Sequence, residues 1–246
     1  MEFVSNPRYR ARFARGAEDV RAAQGLRYEA FVSGKRPGGR EADALDDICK
    51  HVLIEDCATG DLVATFRVLP LRDGREIGRS YSARYYDLDG LTGYDQPMVE
   101  MGRFCVRPGL KDPDILRVAW GALTKFVDQE GVGMLFGCSS FAGTDSAAYA
   151  DAFAMLRDKH LAPRRWLPRV KAPDVFRFAR RLRRAPDRVK AFKTMPPLLR
   201  SYLTMGGWVS DHAVVDRDLN TLYVFTGLEI GSIPPARVRA LRAVAG

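Results

Sequence analysis

The stretch V-E-M-G-R-F-C-V-R-P, from Val99 to Pro108, decides how the chain is read. It is apolar and β-forming except for one carboxylate, Glu100, and two guanidiniums, Arg103 within it and Arg107 at its end, and it runs into the breaker Pro108-Gly109. A helix-patterned stretch begins shortly after. A strand that bears ionisable groups and leads through a loop to a helix N-terminus is a frequent binding-site position in α/β folds. Taken alone, the same pattern also fits a half-buried strand braced by a salt bridge. The flanking sequence has to decide.

On the C-terminal side, Leu116, Ala119, Trp120, Leu123, Phe126 and Val127 form one apolar stripe, which predicts a helix ended by Gly131. V-G-M-L-F-G (132–137) reads as a short buried strand, Cys138–Gly143 as a loop, and about Asp145 to His160 as another helix. On the N-terminal side, H-V-L-I-E (51–55) and L-V-A-T-F-R-V-L (62–69), joined by A-T-G-D, predict a hairpin. Arg67, between Phe66 and Val68, must face solvent or a site that gives it a partner. Ala17 to Phe31 has helical spacing and acidic residues in its first turn, so Arg27 and Phe31 share a face. Ser33–Ala44 is a Gly-, Pro- and charge-rich loop that leads into Asp43, Asp46 and Asp47. Residues 1–16 read as an arm or first strand, 70–98 mostly as loop, and the stretch after Gly207 as a final pair of strands. Strands alternating with helices predict a mixed α/β sheet in a single domain over 1–246.

Bulk properties narrow the class. An apolar content of 46% and a charged content of 28% are those of an ordinary globular protein. There is no run of 18 apolar residues and no apolar leader with a cleavage site, so the expectation is a cytoplasmic protein. Cys49, Cys57, Cys105 and Cys138 show no C-x-x-C spacing and read as free thiols. With His51, His160 and His212 as the only histidines, no metal site is expected. The net charge of +9 is concentrated: residues 157–200 carry 15 Lys/Arg and 3 Asp/Glu, and the rest of the chain is slightly acidic. Within 164–200, a basic helical insertion, cations interleave with Phe176, Phe178, Leu182, Val189 and Phe192. That suits a helical hairpin on an anionic surface, with Arg180, Arg181, Arg183 and Arg184 as contacts.

The set Arg27/Phe31, Asp46, Arg67, Glu100/Arg103 resembles the pattern of acyl-homoserine-lactone synthases: R-x-x-x-F, an acidic pair, an Arg on a strand, then E-x-x-R. The resemblance is closer to the L-ornithine Nα-acyltransferases of bacterial ornithine-lipid synthesis, often labelled hemolysin-like. It rests on D-A-L-D-D-I-C-K-H-V-L-I (43–54), V-E-M-G-R-F-C-V (99–106), L-F-G-C-S-S-F (135–141), P-P-L-L-R-S-Y-L (196–203) and G-W-V-S-D-H-A-V-V-D-R-D-L-N-T (207–221). The resemblance implies a GNAT-like N-acyltransferase fold. It also implies transfer of a 3-hydroxyacyl group from acyl carrier protein to the α-amine of ornithine, giving lyso-ornithine lipid. A downstream O-acyltransferase would add the second chain. No cofactor is implied beyond the carrier's own 4'-phosphopantetheine arm.

The chemistry assigns roles. An α-amine is mostly protonated at neutral pH, so attack on a thioester needs a proton acceptor, and Glu100 on a central strand suits that task. The oxyanion needs fixed donors; by the resemblance, Cys105 and Val106 fall where a parted strand pair supplies backbone N–H groups. Ser139 or Ser140 would supply or relay a proton to the leaving thiolate, or serve only as structural hydroxyls. Arg67 or Arg103 suits the acceptor's carboxylate by bidentate pairing, and Asp46 or Asp47 suits an ammonium. The alternative for Arg27, Asp46, Glu100 and Arg103 is an ion-pair network that braces the first helix against the sheet.

The loop R-P-G-L-K-D-P-D (107–114) has one glycine and two prolines, so it offers few N–H groups for a CoA pyrophosphate. A carrier protein fits better, received by Arg107, Lys111, Arg117 or part of the basic segment. Other readings are the same reaction on glutamine or lysine, an autoinducer synthase using S-adenosylmethionine, and a non-catalytic membrane-binding module. No nucleic-acid reading motif is present, so no nucleic-acid partner is expected.

Overall fold

β-branched and aromatic runs become strands, and the amphipathic runs between them become helices. In the computed structural model, which describes residues 2–32 and 38–245, the first half contains β1 (Glu2–Ser5), β2 (Tyr9–Phe13), α1 (Ala17–Phe31), β3 (Lys50–Asp56), β4 (Leu62–Leu71), β5 (Tyr86–Asp87), β6 (Met98–Val106) and α2 (Pro113–Gln129). The second half contains β7 (Met134–Ala142), α3 (Ala150–Lys159), β8 (Arg169–Val170), β9 (Val175–Phe176), α4 (Phe178–Arg181), α5 (Arg188–Thr194), α6 (Pro197–Thr204), β10 (Trp208–Val209), β11 (Ala213–Asp216), β12 (Thr221–Glu229) and α7 (Pro235–Ala245). Two compact units result: Met1–Pro70 with Met101–Val132 and Pro235–Gly246, and Leu71–Glu100 with Gly133–Pro234. Among the described residues no helix is long and apolar enough to cross a membrane.

In the first unit the strand order is β1-β2-β3-β4-β6. β2 through β4 form an antiparallel meander, with Val52 opposite both Phe13 and Phe66. The expected hairpin is present, and α1 spans the residues its spacing predicts. α2 buries Ile115, Ala119, Leu123, Phe126 and Val127. It starts at Asp112, whose carboxylate accepts from the Asp114 N–H at 2.9 Å, and it stops at Gly131, whose φ of 60° a side chain would oppose. The expected Ser33–Ala44 loop lies outside the described residues over 33–37.

In the second unit the N-terminal end of β6 pairs in parallel with β7, from Met98↔Met134 to Glu100↔Phe136. β7 pairs antiparallel with β12 along its whole length, and β11 and β9 follow. Phe141, Phe153, Leu156, Phe178, Leu199, Val209 and Val224 fill the core on α3. β7 continues through Ala142, so Ser139 and Ser140 are strand residues, not loop residues. The C-S-S-F-A run alternates in burial once β12 is beside it, which a short apolar window does not reveal. Residues 70–98 are not structureless: 3₁₀ turns at Gly74–Arg79, Ser82–Arg84 and Asp89–Gly93 order them, and such turns leave no hydrophobic period to read. Helix covers only part of 164–200. Pro173, Pro186 and Pro196 divide the segment, leaving α4 and α5 as two short helices rather than a long hairpin.

Candidate active site

The turn D-A-L-D builds the charged cluster of the first unit. Asp43 caps the 3₁₀ turn Ala44–Asp47, accepting from the Leu45 N–H at 2.9 Å, while Asp46 accepts from the Asp43 N–H at 3.3 Å. This reciprocal cap turns the Asp43 and Asp46 carboxylates inward and leaves Asp47 exposed. Arg27, on the buried face of α1, donates from Nη1 and Nη2 to Asp46 at 2.7 and 2.8 Å and from Nε to Glu41 at 2.6 Å. Arg67 on β4 grips Asp43 at 2.7 and 2.9 Å and also reaches Asp46. Arg103 on β6 donates to Glu41 at 3.0 Å and to Asp43 at 3.4 Å. Gln24 adds a bond to Asp46 at 3.0 Å.

The network balances three guanidinium groups against three carboxylates, and its exposure is graded. The side chains of Arg27, Asp46 and Arg67 are 1%, 4% and 3% exposed, against 13% for Glu41, 18% for Asp43 and 14% for Arg103. The inner members are therefore committed to each other, and charges of both signs stand at the more exposed outer end. Burial alone would raise Asp46, but the hydrogen bonds and charge of Arg27 and Arg67 hold it well below the usual carboxylate range. Asp43 is likewise lowered by Arg67 and Arg103 against its burial. His51, buried beneath, donates from Nε2 to the Asp46 carbonyl at 3.2 Å; burial lowers its pKa, so the ring is neutral. Arg103 has a φ of 54° inside a strand, a left-handed conformation that few non-glycine residues adopt. Phe31, partly buried, ends α1 one turn beyond Arg27.

Glu100 lies three residues before Arg103 on β6 and belongs to the second unit. Its carboxylate accepts from the Tyr81 N–H at 2.7 Å, the Ser82 N–H at 2.8 Å and the Ser82 hydroxyl at 2.6 Å. The two N–H groups belong to the opening of a 3₁₀ turn, where unpaired donors suit an anion. Ser82 is fully buried, Glu100 is 4% exposed, and the Cys138 Sγ sits 3.4 Å from the Ser82 Oγ. Tyr85 and Tyr86 pack on Tyr223 of β12. The Tyr223 hydroxyl is buried and has no hydrogen-bond partner among the described residues, and burial keeps the phenol protonated.

The remaining expected residues separate. Ser139 is buried, and its Oγ accepts from Thr226 at 3.0 Å; Ser140 is exposed, opposite Tyr223 in the β7–β12 register. Cys105 is buried, which pushes its thiol up to about 12 and makes it a poor nucleophile. Val106, partly buried, ends β6. Arg107 lies 3.8 Å from Asp61, and Lys111 is exposed. Arg180, Arg181, Arg183 and Arg184 are all exposed, Arg184 beside Asp151 at 3.0 Å. Four members of the two clusters were not signalled. Glu41 hides in a charged loop, Ser82 and Tyr81 in an aperiodic stretch, and Tyr223 reads as one more apolar strand residue. Among the described residues no His, Cys, Asp and Glu side chains group as metal ligands.

Comparison with known proteins supplies an independent line. A family model described as an acetyltransferase (GNAT) domain matches residues 26–121. An L-ornithine Nα-acyltransferase of Rhodobacter capsulatus is 35% identical over 226 residues, covering 87% of this chain and 86% of that protein. An L-ornithine Nα-acyltransferase of Rhizobium meliloti is 30% identical over 242 residues, covering 90% and 80%. Among solved structures, a CoA-dependent acyl-homoserine lactone synthase superposes with a TM-score of 0.50 at 14% identity, over 99% of this chain and 89% of that one. That last likeness is one of fold.

Proposed function

The chain belongs to the L-ornithine Nα-acyltransferase family and is an acyltransferase of GNAT-like fold, and from that premise we propose that it acylates the α-amine of ornithine, taking a 3-hydroxyacyl group from an acyl carrier protein and releasing lyso-ornithine lipid. The observation that carries the proposal is Glu100, a buried carboxylate held as an acceptor by Tyr81 and Ser82. In that state it can take the proton of the α-ammonium, directly or through a water. The freed amine attacks the thioester carbonyl. The C–N bond forms, the carbonyl oxygen takes up negative charge, and the backbone N–H of Cys105 or Val106 receives it. Collapse breaks the C–S bond. We assign protonation of the departing thiolate to Tyr223, with Ser140 as relay; the second proton that the nitrogen sheds as it becomes an amide returns through water to the Tyr223 oxygen, so the phenol is restored.

The acceptor's carboxylate pairs with Arg103, and its side-chain ammonium with Asp43 or Glu41, the outer members of the network. Arg27, Arg67 and Asp46 hold that outer end in place. A carrier-bound donor is supported at the start of α2. The Asp112 carboxylate already occupies the helix N-terminus, anchored by Arg8 at 2.6 Å and the Tyr9 hydroxyl at 3.0 Å, and Pro113 removes a donor. A CoA pyrophosphate brought there would meet a fixed negative charge. A carrier protein presents its pantetheine arm from its own acidic surface, which Arg107, Lys111 and Arg117 suit.

The test is a single-turnover assay of thiol release from 3-hydroxyacyl carrier protein and from 3-hydroxyacyl-CoA, with a panel of amino acids. Release from the carrier with ornithine, reduced at least ~100-fold in Glu100→Gln, is the expected result. Release with glutamine or lysine instead would change the acceptor. Preference for the CoA thioester would overturn the donor, and turnover only with S-adenosylmethionine would overturn the reaction.

A further inference from the structure

α5 turns its small Ala191 into the core beside α3 and sends two large apolar side chains outward. Val189 is 78% exposed and Phe192 59%, and among the described residues only Ile48 joins them as an exposed large hydrophobe. Positions 189 and 192 are three apart on a helix, so the two side chains share one face. They lie in a strongly cationic frame: residues 176–200 hold nine Lys/Arg and one acid, Asp187. Lys190 pairs with Asp187 at 3.5 Å, and the Arg200 guanidinium covers the Phe192 ring at 4.8 Å. Arg181, Arg183, Arg188 and Lys193 are exposed and make no ion pair among the described residues.

A solvated charged face accounts for the cations but not for two large apolar groups raised among them. Leaving an aromatic ring in water forfeits the burial that the rest of the helix gains. An aliphatic and an aromatic side chain projecting from a polybasic surface match a bilayer interface, where the cations meet anionic headgroups and the apolar tips enter the acyl boundary. An acidic protein would satisfy the charges but would leave Val189 and Phe192 without an apolar host.

We infer that α4 and α5 form a docking face for an anionic lipid bilayer, with Val189 and Phe192 as its inserted tips and Arg181, Arg183, Arg188 and Lys193 as its headgroup contacts. The face needs no substrate to work, so it can be tested apart from the reaction.

The experiment is flotation of the full-length protein with vesicles of phosphatidylcholine alone, or with 30% phosphatidylglycerol, at physiological ionic strength. Binding to the anionic vesicles and not to the neutral ones is expected. Val189→Ser/Phe192→Ser lowers the partition coefficient about tenfold, and Arg188→Ser/Lys193→Ser lowers it about fivefold per cation removed. Both double variants keep the wild-type melting temperature and the wild-type rate of thiol release from carrier-bound donor. A blue shift in the emission of Phe192→Trp, relative to wild type, on anionic vesicles reads insertion directly. Equal flotation on both vesicle types, no flotation, or an emission of Phe192→Trp that does not shift would overturn the membrane face. A raised KM for the acyl carrier protein in Arg188→Ser/Lys193→Ser, with vesicle binding unchanged, would reassign the patch to the carrier.

Discussion

Arg27 and Asp46 face each other as a two-pronged pair, Nη1 to Oδ1 at 2.7 Å and Nη2 to Oδ2 at 2.8 Å, with side chains only 1% and 4% exposed. A pair so deep is sustained by its remaining hydrogen bonds: Gln24 and Arg67 donate to Asp46, and the Glu41 carbonyl accepts from Arg27. Asp46→Asn leaves two buried guanidinium groups short of a counter-charge. We expect a loss of about 3–5 kcal/mol in urea unfolding. Arg27→Met/Asp46→Leu, which removes charge from both sides, should recover a large part of it. If both variants were equally destabilised, the shape of the pair rather than its charge would be what matters.

His51 makes the same region sensitive to acid. Its folded pKa lies below the unfolded value of about 6.5, so on acidification the unfolded chain takes up the proton first. Stability therefore falls as pH drops below about 6.5, by at most about 1.4 kcal/mol per pH unit for one such group. His160, also lowered by burial, acts in the same window. Asp43 and Asp46 have depressed folded values, so their contribution holds above pH ~4 and is lost below it. Melting temperatures of wild type and His51→Gln between pH 8 and about 3.5 check this: the variant's curve should be flatter from about 6.5 to 5 and should join the wild-type descent near pH ~4. Parallel curves throughout would remove His51 from the effect.

The contrast between Asp46 and Asp47 shows where sequence stops being informative. Both are acids in D-A-L-D-D, and only the reciprocal cap between Asp43 and Asp46 decides which points inward. α1, the β3–β4 hairpin and α2 were legible, because each writes a period or a stop signal into local sequence; the acidic cluster was visible, its cap was not read. Glu41, Tyr81, Ser82 and Tyr223 acquire their roles from neighbours distant in sequence, 62 residues in the Glu41–Arg103 pair and 137 between Tyr86 and Tyr223. No local pattern encodes such a distance. The strand position of Ser139 and Ser140 failed to appear for the same reason: β12, which pairs with them, arrives some eighty residues later.

Arg67 and Arg103 looked interchangeable as partners for a substrate carboxylate, and their surroundings now separate them. Arg67 is 3% exposed, with both Nη atoms spent on Asp43 and Asp46; Arg103 is 14% exposed and held by longer bonds. Arg103→Gln should raise KM for the amino acid about tenfold or more with kcat within a few-fold of wild type, because it removes binding without touching the proton acceptor. Arg67→Gln should act on stability, lowering the melting temperature by several degrees. Steady-state kinetics paired with calorimetry on the two variants tests the division. A KM effect confined to Arg67→Gln would invert the assignment.

Tyr223 offers a case where stability and activity should move in opposite directions. A buried hydroxyl without a partner is destabilising, by about 1–3 kcal/mol for a full desolvation penalty. Tyr223→Phe removes the hydroxyl and keeps the ring packed on Tyr85 and Tyr86, so the variant should melt higher than wild type. If that hydroxyl protonates the leaving thiolate, the same change should lower kcat about 10²-fold or more while KM for the amino acid stays constant. Replacing the donor with a thioester whose thiol is more acidic should restore part of the lost rate, since a better leaving group needs less help. A more stable and fully active Tyr223→Phe would identify the hydroxyl as a packing defect and return the proton to Ser140 or to water.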